Sequence, residues 1–491
     1  MVRPVAEHSE APSPQPRFEF DRRPLGWVVL SRLKRQVLLL GLFSAFLWIR
    51  SMTPPEGLDE TAWSALTIFS LCGALWATGA LPPAVTSLLA MALIPMFGVM
   101  SAGETYAFFG SKVVFFILGA FMLSAAMMAT GLSRRIASVF VRRFGATPRR
   151  LILAVFLLCA FASTLMSGHA VAAMVFPIIT DLAKAMKLAK GRSPMGRGLF
   201  LAMAWGCIIG GSLTVLGGGR GPLAIGLLEE ATQEAHTITF AGFMTYSWPL
   251  VLALLVFAGW QLRARFEPEV SSTAAALDAL EEQIHQMGKL SPREFVVGVV
   301  LVVTVALWAF AGDSLGLANI AIVSMGALFS LGALQWREVE AHVNWGIVVM
   351  YGGAIGLGSV MERSGAAAWL TERVLEGTQV GPGGLMLGLA IASAILTEFM
   401  SNSAVVAMLM PPALAFAEAH GVNLAAITMV VVLPSNFAYI FPIATPVTGL
   451  AWSSGHLERG TVLRNGLVLH LVSWALMAAL IFLYWPAVGL F

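Results

Sequence analysis

The chain alternates long apolar windows with short polar connections, a pattern that predicts a bundle of membrane-spanning helices. A helix needs about 17–25 mostly apolar residues to cross the hydrocarbon core of a bilayer. Windows suited to a span lie near residues 36–49, 63–80, 83–99, 113–131, 198–228, 239–262, 293–311, 317–335, 345–361, 423–455 and 465–488. The pattern therefore predicts an all-α polytopic membrane protein with about 11 transmembrane helices.

Two more apolar windows, 151–186 and 383–419, are interrupted near their middle by small polar residues. The first window carries Ser-Gly-His at 167–169, and the second carries Ser-Asn-Ser at 401–403. Each arm of about 16 residues makes a helix of roughly 24 Å, which is shorter than the hydrocarbon core of about 30 Å. Two half-depth arms joined by a polar turn predict a re-entrant hairpin in each window.

The two hairpins match each other at a fixed offset of 234 residues (400 minus 166). At this offset, identical residues coincide without a gap: Met166 with Met400, Ser167 with Ser401, Ala170 with Ala404, Ala173 with Ala407, Met174 with Met408, Pro177 with Pro411, Gly119 with Gly353 and Gly131 with Gly365. The match predicts two copies of one unit, at 25–262 and 293–491. Each copy also contains a helix predicted to be broken.

The predicted broken helices are 198–228, interrupted by the glycine-rich residues 217–222, and 423–455, interrupted near 444–446. A polar linker at 263–292 divides the copies and contains a predicted amphipathic helix. Residues 1–24 are polar and rich in Pro and Arg, so we predict a disordered tail.

The distribution of Lys and Arg predicts the orientation of the copies. With the N-terminus in the cytoplasm, the cytoplasmic connections, including the tail and the linker, hold every Lys and Arg except Arg50, Lys112, Arg220, Arg363 and Arg373. Membrane proteins usually carry such an excess of basic residues in cytoplasmic loops. In this topology the copies run in opposite directions, so the two hairpins of this inverted repeat open towards opposite faces of the membrane.

Composition agrees with a membrane protein and disfavours other classes. Hydrophobic residues make up 58% of the chain and charged residues 12%, with a mean hydropathy of +0.80, whereas soluble domains carry roughly 25% charged residues. The three cysteines are isolated in apolar runs and predict no disulfide or metal site. The sequence contains no HExxH, no GxGD and no GxxxxGK[ST] motif, so an embedded enzyme and an ATP-driven pump are both disfavoured.

Backbone that leaves the helix at membrane depth has unpaired N–H and C=O groups, which is tolerated only in a protein-lined or watery cavity. Helix N-termini at such breaks attract anions, and free carbonyls with Ser or Thr hydroxyls coordinate small cations. Two hairpin tips and two broken helices in opposite orientations are typical of a secondary transporter that works by alternating access.

The sequence resembles the divalent-anion:sodium symporter family, whose members carry dicarboxylates, citrate or sulfate. The family's signature is a Ser-Asn-Thr tip in each hairpin, followed by a Thr-Pro break in the next helix. The second copy fits this signature, with Thr397, Ser-Asn-Ser at 401–403 and PIATPVTG at 442–449. The resemblance covers nearly all of residues 36–490. It implies a homodimer with a scaffold domain and a moving, elevator-type transport domain, in which substrate rests between the tips with a sodium ion behind each.

The resemblance also implies roles for individual residues. The second cation site would use Thr397, the carbonyl of Met400, Asn402 and the carbonyl of Ala444. The first would use Ser163, Ser167 and a carbonyl near Gly217. Substrate contacts are expected from both copies: Ser167, Gly168, His169, Arg220, Asn402, Ser403, Thr445 and Pro446.

The first copy departs from the signature. Gly168 and His169 stand where the family has Asn-Thr, and GGGRG at 217–221 stands where Gly-Thr-Pro-Pro-Asn is common. A guanidinium is always ionised and binds carboxylate or sulfate with two hydrogen bonds. Arg220 would therefore supply a fixed positive charge where one sodium ion would sit, which points to fewer coupled sodium ions or to anion exchange. His169 would assist Arg220 or couple transport to protons.

Structural interpretations of the same residues stay open. Arg220 would cap carbonyls at the helix break or pair with Glu398, His169 would satisfy a buried polar tip, and Glu398 would orient the hairpin.

The sequence thus predicts a carrier of a small divalent anion, such as succinate, malate or citrate, coupled to sodium. The alternatives are a sodium-independent exchanger and a sulfate or sulfonate carrier, each relying on Arg220 and His169. We expect a multi-pass protein of the inner membrane with no cofactor, no nucleic-acid partner and no metal besides sodium.

Overall fold

The computed structural model describes residues 25–375 and 381–490, and over these residues the regular structure is entirely helical. The α-helices are α1 (Leu25–Arg50), α2 (Glu60–Thr78), α3 (Pro83–Met96), α4 (Ala102–Ala107), α5 (Lys112–Ala129), α6 (Leu132–Phe144), α7 (Pro148–Leu165), α8 (Gly168–Ala185), α9 (Pro194–Gly210), α10 (Arg220–Ala231), α11 (Phe240–Arg265), α12 (Ala274–Gln286), α13 (Pro292–Leu315), α14 (Leu317–Ser330), α15 (Trp336–Glu340), α16 (Trp345–Arg363), α17 (Ala366–Leu375), α18 (Pro382–Leu396), α19 (Asn402–Ala419), α20 (Leu424–Val432), α21 (Pro446–Ser453), α22 (Arg459–Ala479) and α23 (Trp485–Ala487).

The predicted class, an all-α membrane protein, is confirmed. Nine helical segments in the described ranges are long and apolar enough to cross a membrane, and shorter apolar helices accompany them. The total of about 11 spans stays a prediction. The predicted tail, 1–24, lies outside the described residues. The sequence also predicts a short lateral helix at 366–378, of which residues 376–378 lie outside them.

The helix bounds repeat at the 234-residue offset found in the sequence. Helices α3 and α14 correspond end to end at this offset, as do α8 and α19, while α5 and α16 end at equivalent residues. Both hairpins also begin with proline at the first helical position, Pro148 in α7 and Pro382 in α18, where its missing N–H costs nothing. Most of each copy therefore folds in the same way.

The two copies pack into each other through a matched pair of glycines. Helix α5 packs on α14, and its counterpart α16 packs on α3, the counterpart of α14. A Cβ on Gly119 would lie 2.6 Å from the Cβ of Ala321, and a Cβ on Gly353 would lie 2.5 Å from the Cβ of Ser87. Because both approaches are closer than side chains allow, both helix crossings need glycine.

Each broken helix has a longer gap than the sequence predicted. Helix α9 ends at Gly210 and α10 begins at Arg220, whereas the predicted interruption was 217–222. Helix α20 gives way to a 3₁₀ turn, Pro434–Asn436, and α21 begins only at Pro446. The sequence motifs mark where the second half-helix restarts. In the second broken helix, the first half ends before the motif because Pro434 has no N–H to continue the α-helical pattern.

The second half of each broken helix packs on helices of the other copy. Helix α10, from the first copy, packs on α19 and α20 of the second, while α21 packs on α8 and α9 of the first. Each hairpin tip consequently lies beside the restarting half-helix of the other copy, and all four breaks in the helices come together.

Candidate functional site

A cavity of about 340 Å³ lies where the two hairpin tips and the two helix breaks meet. Its lining comes from both copies: Pro82, Pro83, Ala84, Gly168, His169, Cys207, Ile208, Gly217, Gly218, Gly219, Arg220, Asn344, Gly346, Ile347, Met350, Ser401, Asn402, Ser403, Asn436, Ala444, Thr445, Pro446 and Val447. This volume lies within the range of about 300–1,000 Å³ that is usual for sites that bind small molecules.

The predicted substrate residues lie at this cavity, with one exception. Ser167 is absent from the lining, and its Oγ accepts the N–H of Ala170 at 3.3 Å as the N-cap of α8. Of the predicted cation ligands, Gly217, Asn402 and Ala444 line the cavity. Of the remaining ones, Ser163, Thr397 and Met400 are buried and Ser167 is half-buried.

A chain of hydrogen bonds holds the second tip. Thr397 Oγ1 lies 2.9 Å from Asn402 Oδ1 and 2.5 Å from the carbonyl of Ser435. Asn402 Nδ2 donates to Asn436 Oδ1 at 2.8 Å. The side-chain oxygens of Thr397 and Asn402 and the carbonyl oxygen of Ser435 thus lie close together, next to the cavity that Asn402 lines.

Asn436 joins the two breaks and was missed by the sequence analysis. Its Nδ2 lies 2.9 Å from Ser212 Oγ and also donates to the carbonyl of Ile208, both in the first copy. The available signal was the Pro-Ser-Asn triplet at 434–436, which interrupts an apolar run. A proline followed by two polar residues there marks the end of the first half-helix.

Arg220 presents a buried guanidinium to the cavity. Only 5% of its surface is exposed, and its Nη2 donates to the carbonyl of Gly211 at 2.5 Å and lies 3.4 Å from Ser212 Oγ. Its Nε has no hydrogen-bond partner, and no carboxylate of the described chain forms an ion pair with it. The suggested pairing with Glu398 is wrong, because that carboxylate is bonded elsewhere.

Glu398 fixes the backbone of the second break. Its two carboxylate oxygens accept the N–H groups of three consecutive residues, Tyr439, Ile440 and Phe441, at 2.8–3.3 Å. The Nε2 of His470, on α22, lies 2.6 Å from the same carboxylate. Glu398 therefore orients this segment, and His470 joins it from a helix that no sequence motif connected with the hairpin.

The first tip has fewer polar partners. Ser163 Oγ, at the position equivalent to Thr397, is buried and has no hydrogen-bond partner in the described ranges, and neither has Nδ1 of His169. Gly168 occupies the position equivalent to Asn402, so no amide reaches back to this hydroxyl. The second tip is therefore held by side-chain hydrogen bonds that the first tip lacks.

Glycine at 219 keeps the first break close to the second tip. A Cβ there would lie 2.5 Å from the Oη of Tyr351 and 3.3 Å from Ser403 Oγ. The restart of α10 therefore contacts α16 and the second hairpin directly, and a larger residue at 219 would push them apart.

Comparison with known proteins agrees with the family resemblance seen in the sequence. Residues 33–491 match the family described as "Sodium:sulfate symporter transmembrane region". The chain is similar to the sodium-dependent dicarboxylate transporter SdcS of Staphylococcus saprophyticus, with 26% identity over 463 residues covering 88% of each protein. It is also similar to an uncharacterized transporter of Haemophilus influenzae, with 24% identity over 444 residues, 87% of this chain and 93% of the relative.

Two solved structures share the fold. The YdaH transporter of Alcanivorax borkumensis aligns with a TM-score of 0.54 at 16% identity, over 83% of this chain and 98% of its own. MtrF of Neisseria gonorrhoeae aligns with a TM-score of 0.56 at 14% identity, over 89% and 96%. The match over nearly the whole sequence shows that this chain belongs to the sodium:sulfate symporter family, which consists of secondary transporters and not of enzymes.

Proposed function

We propose that the protein carries a small divalent anion, most simply a C4 dicarboxylate, across the inner membrane by alternating access and couples this transport to sodium. The observation that carries the proposal is the guanidinium of Arg220, buried at a cavity between two hairpin tips without a carboxylate partner in the described chain. A buried charge without a counter-charge is costly. A bound dianion would remove that cost.

The lining supports recognition of a dianion by polar side chains from both copies. Arg220 and His169 come from the first copy, and Asn402, Ser403 and Thr445 come from the second. Guanidinium, amide and hydroxyl groups are the donors that carboxylates accept. A solute with two separated carboxylates would use both groups of residues at once, and the similarity to SdcS transporters agrees with such a substrate.

Alternating access follows from the exchange of partners between the copies. We infer that the copies form an inverted repeat, so that one hairpin opens towards the cytoplasm and the other towards the opposite face. Because each tip packs on the half-helix of the other copy, opening one hairpin changes the contacts of both breaks. The transporter is further expected to work as a homodimer with the N-terminus in the cytoplasm.

The sodium site proposed is the one at the second tip. The oxygens of Thr397 and Asn402 already lie 2.9 Å apart, and the carbonyls of Met400 and Ala444 would complete a set of oxygen ligands. Hydroxyl, amide and carbonyl oxygens at an unwound helix are the usual ligands of coupling sodium ions.

The test is uptake of radioactive succinate, citrate and sulfate into proteoliposomes, in sodium chloride or choline chloride. We expect succinate uptake that needs sodium and is competed by unlabelled dicarboxylates. Uptake of equal size in both salts would favour the exchanger that fixed charge at Arg220 suggests, and preference for sulfate would replace the proposed substrate. No uptake of any of the three anions would refute the proposal.

A further inference from the structure

We propose that the two helix breaks have opposite polarity, so that the first binds the anion and the second binds a single coupling cation. This inference rests on the proposed function and adds its stoichiometry, one cation for each dianion. Arg220 takes the place that a second cation would have.

At the first break, backbone donors are left free beside a positive side chain. The N–H groups of Gly218 and Gly219 have no acceptor among the described residues. Helix α10 starts here without a side-chain cap, because its N-cap residue is Gly219. The guanidinium of Arg220 is 5% exposed and its Nε is unpartnered. An uncapped helix N-terminus next to an unpaired guanidinium favours a bound anion.

At the second break, most of the backbone donors are already used. Glu398 accepts three consecutive N–H groups of the segment 439–441. The start of α21 is capped by its own residues, since Thr445 Oγ1 accepts the N–H of Thr448 at 3.1 Å. The carbonyl of Ala444 at the cavity has no donor in the described part of the chain. A free carbonyl at a break whose N–H groups are mostly bonded favours a cation.

The first tip is unsuited to a cation for two reasons. It lacks the amide oxygen that Asn402 supplies in the second copy, since Gly168 stands there. The guanidinium is also too close, because a Cβ on Gly218 would lie 2.7 Å from Nη1 of Arg220, and Gly218 is adjacent to the predicted cation ligand Gly217. Two positive charges at such short range repel each other strongly at membrane depth.

The charges of the loaded cavity then balance. One dianion faces one guanidinium and one cation, so neither a second cation nor a proton is needed. Arg220 stays with the protein, and the transported charge per cycle is that of the dianion and one cation, which is net negative. An inside-negative membrane potential is therefore expected to slow uptake rather than to drive it.

The direct test counts sodium. The full-length protein in lipid nanodiscs is titrated with radioactive sodium in the presence of saturating succinate, and we expect one sodium ion bound per chain. Sodium and succinate taken up together by proteoliposomes are expected in a one-to-one ratio, with slower uptake when a potassium gradient and valinomycin make the interior negative. Two or more sodium ions per chain, or none, would overturn the inference.

Two equivalent substitutions locate the ion. Thr397→Val is expected to abolish sodium binding, while Ser163→Ala, at the position 234 residues earlier, is expected to leave one sodium ion per chain. Loss of sodium binding in Ser163→Ala would place the ion at the first tip and refute the assignment. The count in the unaltered protein stands even if a variant fails to fold. Failure of the proposed function looks different, since then no anion is transported whatever the sodium count.

Discussion

The tips of the two hairpins share their backbone and differ in their chemistry. Each has a serine N-cap in the same geometry: Ser167 accepts the N–H of Ala170 and Ser401 accepts that of Ala404, both at 3.3 Å. Such a cap pairs an N–H group at the start of a helix, where the first N–H groups have no partner within the helix. The cap is thus retained in both copies for folding, independently of what each tip binds.

The residues around the cap differ between the two copies. In the second tip, Asn402 bridges Thr397 and the second break, whereas in the first tip Gly168 leaves Ser163 without a partner. The first copy instead carries Arg220, at the start of the half-helix where the second copy has Pro446. The two copies keep a common scaffold, and we propose that a few side chains at the breaks determine which sign of charge each tip attracts.

The largest effect is expected from removing the charge that distinguishes the first copy. Arg220→Gln keeps hydrogen-bonding groups and loses the positive charge, so the dianion loses its only guanidinium in the cavity lining. Truncating a buried charged partner costs about 2–5 kcal/mol, which corresponds to a loss of at least about 30-fold in kcat/KM for succinate. Uptake into proteoliposomes measures this loss.

A matched control for Arg220→Gln is Arg337→Gln, which makes the same change on exposed helix α15. It is expected to retain uptake and thermal stability. If Arg220→Gln folded normally and transported succinate as fast as the unaltered protein, the first tip would not be an anion site and the comparison between the tips would fail.

The next effect concerns the link between the tips. Asn436→Ala removes the side chain that bonds to Asn402, Ser212 and the carbonyl of Ile208, and leaves Nδ2 of Asn402 without its acceptor. Each unsatisfied buried group costs about 1–3 kcal/mol. We expect a clear fall in melting temperature together with weaker succinate binding, both measured by thermal shift with and without succinate.

Asn423→Ala separates these two effects, because Asn423 only caps α20, through the N–H groups of Ala425 and Ala426. Its loss is expected to cost about 1 kcal/mol of stability and to leave the succinate-dependent shift intact. An equal reduction of that shift in both variants would show that Asn436 acts through the helix and not at the site.

The glycine pair tests whether the scaffold itself is equivalent in both copies. Gly119→Ala places a methyl group 2.6 Å from the Cβ of Ala321, and Gly353→Ala places one 2.5 Å from the Cβ of Ser87. Overpacking of this kind costs about 1–3 kcal/mol, so both variants are expected to melt at a lower temperature. The drop is expected to be larger for Gly353→Ala, because the backbone oxygen of Ser87 also lies 2.6 Å from the new methyl group. Ala321→Gly should rescue Gly119→Ala, because it removes the Cβ that the new methyl group meets. No drop in either variant, or no rescue, would contradict this packing.

The sequence was sufficient to predict the class of fold and the two polar tips, and nearly all of the predicted substrate residues line the cavity, although most of the lining was not predicted. These features follow from local patterns: apolar windows report spans, and a polar triplet between two short apolar arms reports a tip. The 234-residue offset supports the prediction of both tips, since the helix bounds repeat at the same spacing.

The parts that the sequence did not predict depend on contacts between distant elements. Asn436 and His470 act across the fold, on Ser212 and Glu398, and no spacing along the chain connects those partners. The early end of α20 was missed because apolar residues on both sides of Pro434 resemble a continuous span. The exchange of half-helices between copies likewise arises only when the chain folds.

The smallest effect is expected far from the cavity, at two equivalent capping boxes. Glu338 of α15 and Glu104 of α4 each cap the start of their helix, but only Glu338 also bonds to an arginine, Arg293. The N–H of Gln335 and the Arg293 guanidinium lower the pKa of Glu338 below its ordinary value. Its contribution to stability is therefore complete above the unfolded pKa, about 4.3, and is lost as the pH falls through the lower folded value.

Glu338→Gln is thus expected to lower the free energy of unfolding at pH 7 by less than about 1 kcal/mol, with the difference from the unaltered protein disappearing as the medium is acidified below the pKa. Glu104→Gln, lacking the arginine partner, is expected to have the smaller effect. Melting curves of both variants between neutral and acidic pH measure this. An equal effect at both positions would mean that Arg293 adds nothing. The divergence of the copies would then matter only at the cavity, where a membrane environment makes an unpaired charge far more costly than it is at the surface.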